Sequence, residues 1–307
     1  MKHTYRVKNW KQYNQSLINR GNLTIWLDEE TLKKWHSPVN SPGRGRPRCY
    51  SDQAIEAGLI VRSLFQFPLR QVQGFLEGLF YMLDLDIKAP NYSTLCRRSS
   101  KLDVSLKHIK SHEPIHLLID TTGLKVYGEG EWHIRVHGKS KRRTWRKFHA
   151  AIDHKTLEIT AASLTPSTTH DSLETKGLIK NTAGEIATVT GDKAYDNRHA
   201  YNAIGEAGAW SRIPPRSGAA LGKGGAIATL LRSLNVRNCW ILGRKQWKKE
   251  VGYHDRSLVE NAFYRYKTIL GPRLRSRTFR RQVVEMRIDA QILNRMTHLG
   301  MPKTQRI

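Results

Sequence analysis

The stretch HLLID, at residues 116–120, is a short apolar run of strand length that ends in the acidic residue Asp120. A continuous apolar run of this length is typical of a strand buried at the centre of a sheet. Two β-rich stretches follow, around residues 126–136 and 145–152, and another strand is predicted at residues 157–164. We therefore expect an antiparallel meander that begins with the buried strand.

Helices and strands alternate further along the chain. A helix opened by Thr169 or Asp171 is predicted first, and the strand ATVTGD at residues 187–192 follows it. A helix capped near Asp196 and a short strand near Ile213 come next. This order predicts an α/β domain of the RNase H-like class, with a mixed five-stranded sheet and flanking helices.

Two acids stand where predicted strands end, Asp120 and Asp192. The carboxyl ends of strands are where open α/β sheets place their functional sites, although a single Asp in such a place is most often a turn former or helix cap. A third acid, Glu260, lies on a helix predicted from residue 256 to residue 271, with Asp255 as its N-cap.

The apolar residues of that helix share one side and are expected to pack on the sheet. Arg256, Glu260 and Lys267 share another side at helical spacing. On these residues alone, the simpler interpretation is an i,i+4 surface ion pair between Arg256 and Glu260, worth about 0.2–0.5 kcal/mol.

Several ordered motifs carry a resemblance to a known family. The segment YHDRSLVENAFYRYK at residues 253–267 has the spacing Y-x2-R-x3-E-x6-K. Upstream stand IDTTGLKVYGEGEW (119–132), HGKSKRRTWRKFHAAID (137–153), GDKAYD (191–196) and IPPR (213–216). In order and spacing they resemble the DDE transposases of bacterial insertion sequences, in particular the IS-five family and its IS-nine-zero-three branch. The resemblance runs from about residue 115 to the C-terminus and, more loosely, through the N-terminal third.

The resemblance implies that Asp120, Asp192 and Glu260 are the catalytic, metal-binding triad. Two Mg²⁺ ions, which Mn²⁺ is expected to replace, would lie about 3.5–4 Å apart as in other two-metal sites. Asp120 would contact both ions, and each of the other acids would complete one. Carboxylates suit this role because Mg²⁺ prefers hard oxygen ligands.

The same resemblance implies that Arg256 and Lys267 hold DNA phosphates near the metals. For Tyr253, stacking on DNA and plain packing both remain open.

The charge of the chain points to a polyanionic partner. Lysine and arginine number 52 against 26 aspartates and glutamates, which gives a net charge of +26, and such an excess is typical of nucleic-acid-binding proteins. Double-stranded DNA is the predicted partner. Beside Arg256, Lys267 and Tyr253, the predicted DNA contacts are Lys139, Lys141, Arg142, Arg143, Trp145, Arg146 and Lys193. The simpler alternative for such basic runs is a solvated charged face.

The N-terminal part has a different pattern. A helix capped by Ser51 or Asp52, a second helix after Pro68 and a short basic helix after Asn91 are predicted. They are compatible with a helix-turn-helix-like DNA-binding module or with a helical domain that does not read DNA. We predict a DNA-binding region at residues 1–110 and a catalytic domain at residues 111–307. The last amphipathic helix is expected to close the catalytic core.

Other classes of protein are disfavoured. The three cysteines form no CxxC pair, which argues against a zinc ribbon or a disulfide framework. The N-terminal residues are polar, unlike a signal peptide, and no apolar run approaches the length of a membrane span. The segment at residues 222–225 lacks the full P-loop pattern. We expect a cytoplasmic, nucleoid-associated bacterial protein without a membrane partner.

Three functions remain open at this level. The first is a transposase that binds terminal inverted repeats, cleaves the element ends and joins their 3′-hydroxyls to target DNA as a homodimer or higher synaptic oligomer. The second is a non-catalytic DNA-binding regulator derived from such an enzyme. The third is a structure-specific RNase H-like nuclease that cuts DNA without joining it.

Overall fold

A computed structural model describes residues 5–37, 48–106, 113–126 and 145–306 of the chain. Its backbone forms two compact units. One unit comprises Met1–Ser105 together with Thr278–Ile307, and the other comprises Leu106–Arg277. The predicted functional division between residues 110 and 111 stays a prediction, while the compact units group the C-terminal residues with the N-terminal helices.

The first unit is largely helical. It contains a two-stranded antiparallel sheet made by β1 (Tyr5–Val7) and β8 (Thr304–Arg306). Its helices are α1 (Trp10–Asn19), α2 (Leu23–Trp26), α3 (Glu29–Lys33), α4 (Asp52–Leu64), α5 (Leu69–Met82), α6 (Tyr92–Arg98) and α12 (Phe279–Leu299).

The three helices predicted in the N-terminal part are α4, α5 and α6. Ser51 caps α4 by accepting a hydrogen bond from the Ala54 amide at 3.1 Å, and Asn91 caps α6. Both caps follow from the short polar side chains at these positions. Their helix-turn-helix role stays a prediction.

The sequence predicted that the C-terminal helix closes the core of the sheet-containing unit, and this prediction was wrong. Helix α12 belongs to the first unit, where it packs against α1 and α4. Glu285 of α12 lies 3.6 Å from Arg62 of α4, and both side chains are largely buried. Periodicity predicted the helix correctly but carries no information about which core its apolar side joins.

The second unit is built around a mixed sheet. Its strands are β2 (Ile115–Val126), β3 (Trp145–Asp153), β4 (Ile159–Pro166), β5 (Ile186–Thr190), β6 (Trp210–Arg212) and β7 (Arg273–Leu274). They lie in the order β4-β3-β2-β5-β6, and β7 pairs with β2 outside this path. The strands β2, β3 and β4 form the predicted antiparallel meander, while β5 runs parallel to β2 and β6 runs parallel to β5.

This arrangement is a mixed α/β fold that fits an RNase H-like domain, with the short β7 added to the predicted five strands. The first strand differs from the prediction, because β2 continues past Asp120 to Val126 and pairs with β3 as far as Lys125. Asp120 therefore lies within a strand and does not end it. The physical reason is that Thr121, Thr122, Leu124 and Val126 are themselves good strand formers. A strand expected around residues 126–136 falls, after Val126, outside the described residues.

Five helices accompany the sheet among the described residues of this unit: α7 (Thr175–Asn181), α8 (Arg198–Glu206), α9 (Ile227–Leu242), α10 (Arg244–Glu250) and α11 (Ser257–Ile269). Helix α11 packs its apolar side on the sheet, as predicted. Phe148 of β3 lies 5.5 Å from the ring of Phe263 and 5.1 Å from that of Tyr266.

One predicted cap was confirmed and another was wrong. The helix predicted to be capped near Asp196 is α8, and Asn197 caps it by accepting a hydrogen bond from the Ala200 amide at 3.2 Å. Asp255 does not cap α11, because Asp255 belongs to a 3₁₀ turn at Tyr253–Arg256 that precedes the helix. That turn continues directly into the helix.

Candidate functional site

Asp120 stands on the central strand of the sheet. It pairs in register with Ala150 of β3, and its Oδ1 atom accepts a hydrogen bond from the backbone amide of Thr121 at 2.8 Å. Its side chain is only 17% exposed. A carboxylate this deep in a protein requires a charged or hydrogen-bonding partner.

Arg256 is that partner. Its Nη1 atom lies 2.5 Å from Oδ2 of Asp120, and its Nη2 atom donates to Oε1 of Glu260. Arg256 and Glu260 do form the i,i+4 ion pair that the simpler interpretation of the sequence proposed. However, the same guanidinium also reaches the central strand, so the pair is part of a three-residue contact.

Asp192 is positioned by the strand next to β2. Leu118 of β2 pairs with Thr190 of the parallel strand β5. Asp120 and Asp192 each lie two residues after these paired positions. Asp192 then caps the 3₁₀ turn at Lys193–Tyr195, accepting a hydrogen bond from the Ala194 amide at 2.8 Å.

The residue before Asp192 is a glycine for steric reasons. A Cβ atom at Gly191 would lie 3.1 Å from the Tyr195 ring and 3.3 Å from Ile119. The close approach of these segments explains the GD pair of the GDKAYD motif.

The pKa of Asp120 depends on both of the other acids. Burial raises the pKa of the Asp120 carboxyl above its ordinary value, and the charges of Asp192 and Glu260 raise it further. The Thr121 amide and the Arg256 charge act in the opposite direction. The three acids, remote in sequence, therefore interact within one electrostatic environment.

A buried polar network lies beneath the two aspartates, and the sequence did not reveal it. The Thr121 hydroxyl is 2.8 Å from Nδ1 of His149 and 3.2 Å from the Tyr195 hydroxyl. The Nε2 atom of His149 is 2.7 Å from the Thr165 hydroxyl. The network thus joins the residue after Asp120 to the turn that follows Asp192. In the sequence, the network is signalled only by Thr121 and Thr122, two strand-forming residues that follow Asp120 in β2.

Lys267 contacts the central strand two residues after Asp120, and Tyr253 experiences the charges of Asp192 and Asp120. The Nζ atom of Lys267 donates to the Thr122 hydroxyl at 2.6 Å, and burial lowers the pKa of this lysine. Burial raises the pKa of Tyr253, whose hydroxyl also interacts with Arg256. The Tyr253 ring stands 6.3 Å from that of Trp247, and Lys248 Nζ is 4.9 Å from its centroid. Packing thus already holds Tyr253 in place.

The remaining predicted DNA contacts are dispersed. Lys193 is exposed, whereas Trp145 and Arg146 are half-buried, and Lys125 Nζ lies 5.6 Å from the Trp145 ring. Lys139, Lys141, Arg142 and Arg143 lie outside the described residues.

Three other acids of this unit have structural partners. Asp153 accepts hydrogen bonds from the Lys155 amide and the Thr156 hydroxyl in the turn between β3 and β4. Asp171 lies 2.8 Å from Lys147. Asp196, whose side chain is completely buried, lies 2.9 Å from Arg232.

In the part of the chain that the structure describes, no group of three or more His, Cys, Asp or Glu side chains is arranged so that it could hold a metal ion. Nevertheless, the donor set fits a divalent cation in two respects. All three donors are carboxylates, which suit Mg²⁺, and a cation, the Arg256 guanidinium, already spans two of them.

The mixed sheet, with Asp120 on its central strand, Asp192 just after the neighbouring strand β5 and Glu260 on a helix packed against the sheet, fits an RNase H-like DDE domain. Two family models described as "Transposase DDE domain" match the chain, one over residues 18–129 and the other over residues 111–295. The second match covers more than half of the chain. The protein therefore belongs to the transposase DDE domain family, a family that implies nuclease and transposition activity and DNA as a partner.

Among the described residues, no helix is both long and apolar enough to cross a membrane.

Proposed function

We propose that this protein is the transposase of an insertion sequence. It binds the terminal inverted repeats of its own element, cleaves the element ends and transfers the 3′-hydroxyl ends to target DNA. The sequence motifs favour the IS-five family, and within it the IS-nine-zero-three branch. The observation that carries the proposal is the contact of one guanidinium, that of Arg256, with both Asp120 and Glu260.

The arrangement of the acids supports a catalytic role. Asp120 and Asp192 follow paired positions on neighbouring parallel strands, and Asp120 experiences the charges of Asp192 and Glu260. Clustering of like charges costs free energy in the absence of a cation. A fold that retains such a cluster around its central strand has a use for it, and binding of divalent cations is the use that we propose.

In this proposal Asp120, Asp192 and Glu260 hold two Mg²⁺ ions, which Mn²⁺ can replace. Bound metal would activate the attacking oxygen and neutralise charge on the phosphorus and the leaving oxygen. The protein residues position the reactants. Thr121, through its amide and the buried hydroxyl network, fixes Asp120.

Two basic residues are placed to handle the DNA backbone in this proposal. With divalent cations held by the three acids, Arg256 would be available for a DNA phosphate, to which arginine binds in a bidentate manner. Lys267, now held by the Thr122 hydroxyl, contributes a second cation on the same side of α11. Lys193, Trp145 and Arg146 would extend the contact along the duplex.

Joining two ends in concert requires two active sites, so we propose a homodimer or higher synaptic oligomer. Work on chromosomal DNA would place the protein in the bacterial cytoplasm, in association with the nucleoid. The helices α4–α6 would recognise the terminal repeat as a helix-turn-helix-like module.

A single substitution tests the catalytic proposal. Glu260→Gln removes one carboxylate and keeps the shape of the side chain. Purified wild type, incubated with Mg²⁺ and labelled duplex DNA that carries the terminal repeats flanking its gene, is expected to cleave and join. The variant is expected to lose both reactions while its affinity for the same duplex is retained in EDTA.

A nearby acid provides the matched control. Asp255→Asn, five residues earlier in the same helical segment, removes an acid that pairs with His154 and should leave the reaction intact. Full activity of Glu260→Gln would refute the role of Glu260. Cleavage without joining by the wild type would indicate a structure-specific nuclease, and binding without cleavage would indicate a regulator.

A further inference from the structure

The first unit contains a site of the opposite charge to the acidic cluster. A cavity of about 580 Å³ is lined by Arg48, Cys49, Tyr50, Thr94, Arg97, Arg98 and Lys101. We refer to these seven residues as the phosphate pocket. Four of them are cations, and among these described lining residues none is an acid.

The short helix α6 supplies three of the lining residues, Thr94, Arg97 and Arg98, and the turn after it supplies Lys101. Thr94 and Arg97 are three residues apart, which places them on a common side of the helix. Leu95, on another side of α6, is completely buried, within 3 Å of where a Cβ of Gly58 would stand. Packing of Leu95 on α4 therefore fixes the orientation of the basic side.

Arg98 forms the fixed part of the pocket. Its Nη1 atom donates to the Tyr50 carbonyl at 2.7 Å, and its Nη2 atom donates to the Asp52 carboxylate. Only 13% of the Arg98 side chain is exposed. By contrast, Arg97 and Lys101 are exposed and can reach a ligand at the mouth of the cavity.

The lining chemistry narrows the class of ligand. Pockets for small organic molecules are mainly apolar, whereas this one is lined by guanidinium, ammonium, hydroxyl and thiol groups. Arginines and lysines gathered in this way bind oxyanions, and arginine matches phosphate through paired N–H donors. Arg98 is already paired with Asp52. One isolated phosphate would still leave positive charge on Arg48, Arg97 and Lys101 uncompensated, whereas successive phosphates of a polymer would compensate it.

We propose that the phosphate pocket binds backbone phosphates of duplex DNA. The proposal rests on the proposed function in that DNA is taken as the polyanion. Because phosphates carry no sequence information, such contacts set the position of the unit on the duplex and leave the choice of sequence to other residues.

The test uses the full-length protein in EDTA, so that cleavage does not interfere. Binding of a fluorescent duplex is measured by anisotropy from 50 to 200 mM salt for the wild type and for Arg97→Gln/Lys101→Gln. Each phosphate contact contributes roughly 0.9 to the slope of log affinity against log salt. The slope of the double variant should be smaller by about 1.8 in magnitude.

A matched pair, Lys8→Gln/Lys11→Gln, removes the same charge from exposed positions of the same unit and should leave the slope unchanged. An equal decrease in both pairs would show a general charge effect and overturn the proposal, as would failure of the wild type to bind duplex DNA. If the slope falls only in the pocket pair while the wild type neither cleaves nor joins, the phosphate pocket stands and the catalytic proposal fails.

A second measurement needs no substitution. Cys49 lines the pocket and is exposed, whereas Cys239 lies in the other unit. Duplex DNA should slow alkylation of Cys49 by iodoacetamide, read by peptide mass mapping, and leave Cys239 unaffected. Inorganic phosphate at the same phosphate concentration should protect neither. Equal protection by inorganic phosphate would show a site for free oxyanions and overturn the assignment to DNA, as would unchanged alkylation in DNA.

Discussion

The Nη1 atom of Arg256 lies 2.5 Å from the Oδ2 atom of Asp120, although 136 residues separate them in the chain. The contact joins the 3₁₀ turn that precedes α11 to the central strand of the sheet. Because Glu260 binds the same guanidinium, the arginine compensates charge that the acids bring to this place. The state described here is therefore one in which an internal cation stabilises the acidic cluster.

The first prediction concerns removal of this cation. Arg256→Gln leaves Asp120 buried beside two like charges, and the loss of stability should be about 1–3 kcal/mol, the cost of leaving a buried polar group unsatisfied. Thermal unfolding monitored by circular dichroism measures it. Added MgCl₂ should raise the thermal midpoint of Arg256→Gln by more than it raises that of the wild type. In the variant, the Arg256 guanidinium no longer competes with the ions for the acids.

The control for this experiment is an exposed ion pair, Lys155 with Glu113, whose side chains are 69% and 70% exposed. Lys155→Gln should leave the thermal midpoint nearly unchanged, because water and salt screen an exposed pair, and the midpoint should show no added dependence on Mg²⁺. An unchanged midpoint in Arg256→Gln would contradict the stabilising role of the internal cation.

The second prediction ranks two hydroxyl deletions in the buried network. Thr121→Val leaves the buried Nδ1 atom of His149 without its partner, at an expected cost of about 1–3 kcal/mol. Tyr195→Phe removes only the longer contact of 3.2 Å to Thr121, and should cost about 0.5–1.5 kcal/mol. Urea unfolding of both variants checks the order, and the reverse order would contradict this description of the network.

A third prediction follows from His149, which is completely buried. Burial lowers its pKa below 6.5, which outweighs the charges of Glu174 and Asp171 in favour of protonation, and Lys147 lowers it further. The unfolded chain therefore binds a proton at a pH where the folded protein does not. Stability contributed by neutral His149 is complete above about pH 6.5 and is lost as the pH falls below that value.

The measurement is the thermal midpoint between pH 5 and pH 8 for the wild type and for His149→Asn. Since burial also lowers the pKa of His116, the variant should retain part of the acid-side decline and lose the rest. A decline of equal size in both proteins would exclude His149 as a contributor.

Much of the candidate site was predictable because its residues occupy positions that local patterns define. The strand HLLID and the periodicity around Glu260 predicted a central strand and a helix packed on the sheet, and both exist. The extension of β2 through Asp120 was missed because a short apolar run was given more weight than the β-formers after it. Sequence spacing also gave no sign that Arg256 contacts Asp120, since that contact depends on how α11 docks.

Two further features depend on tertiary context. Helix α12 was predicted, but its packing in the first unit is a matter of which surface its apolar side meets. The phosphate pocket combines Arg48 from one segment with α6 from another, and only folding brings these segments together. Caps at Ser51 and Asn91 were accessible from sequence because their chemistry is local.

The last prediction separates Asp196 from the three acids that we propose to be catalytic. Its side chain is completely buried, with Arg232 at 2.9 Å and the Arg216 amide at 2.8 Å. Asp196→Asn should cost about 2–4 kcal/mol by differential scanning calorimetry, toward the lower end of the range for broken buried pairs because Arg232 partly reaches solvent. Lys176→Gln, which breaks an exposed pair with Glu206, is the matched control and should cost less than about 1 kcal/mol. If Asp196 were a ligand of the catalytic metals, Asp196→Asn would instead abolish cleavage at unchanged stability. A stable but inactive Asp196→Asn protein would therefore move this residue from the supporting structure into the active site.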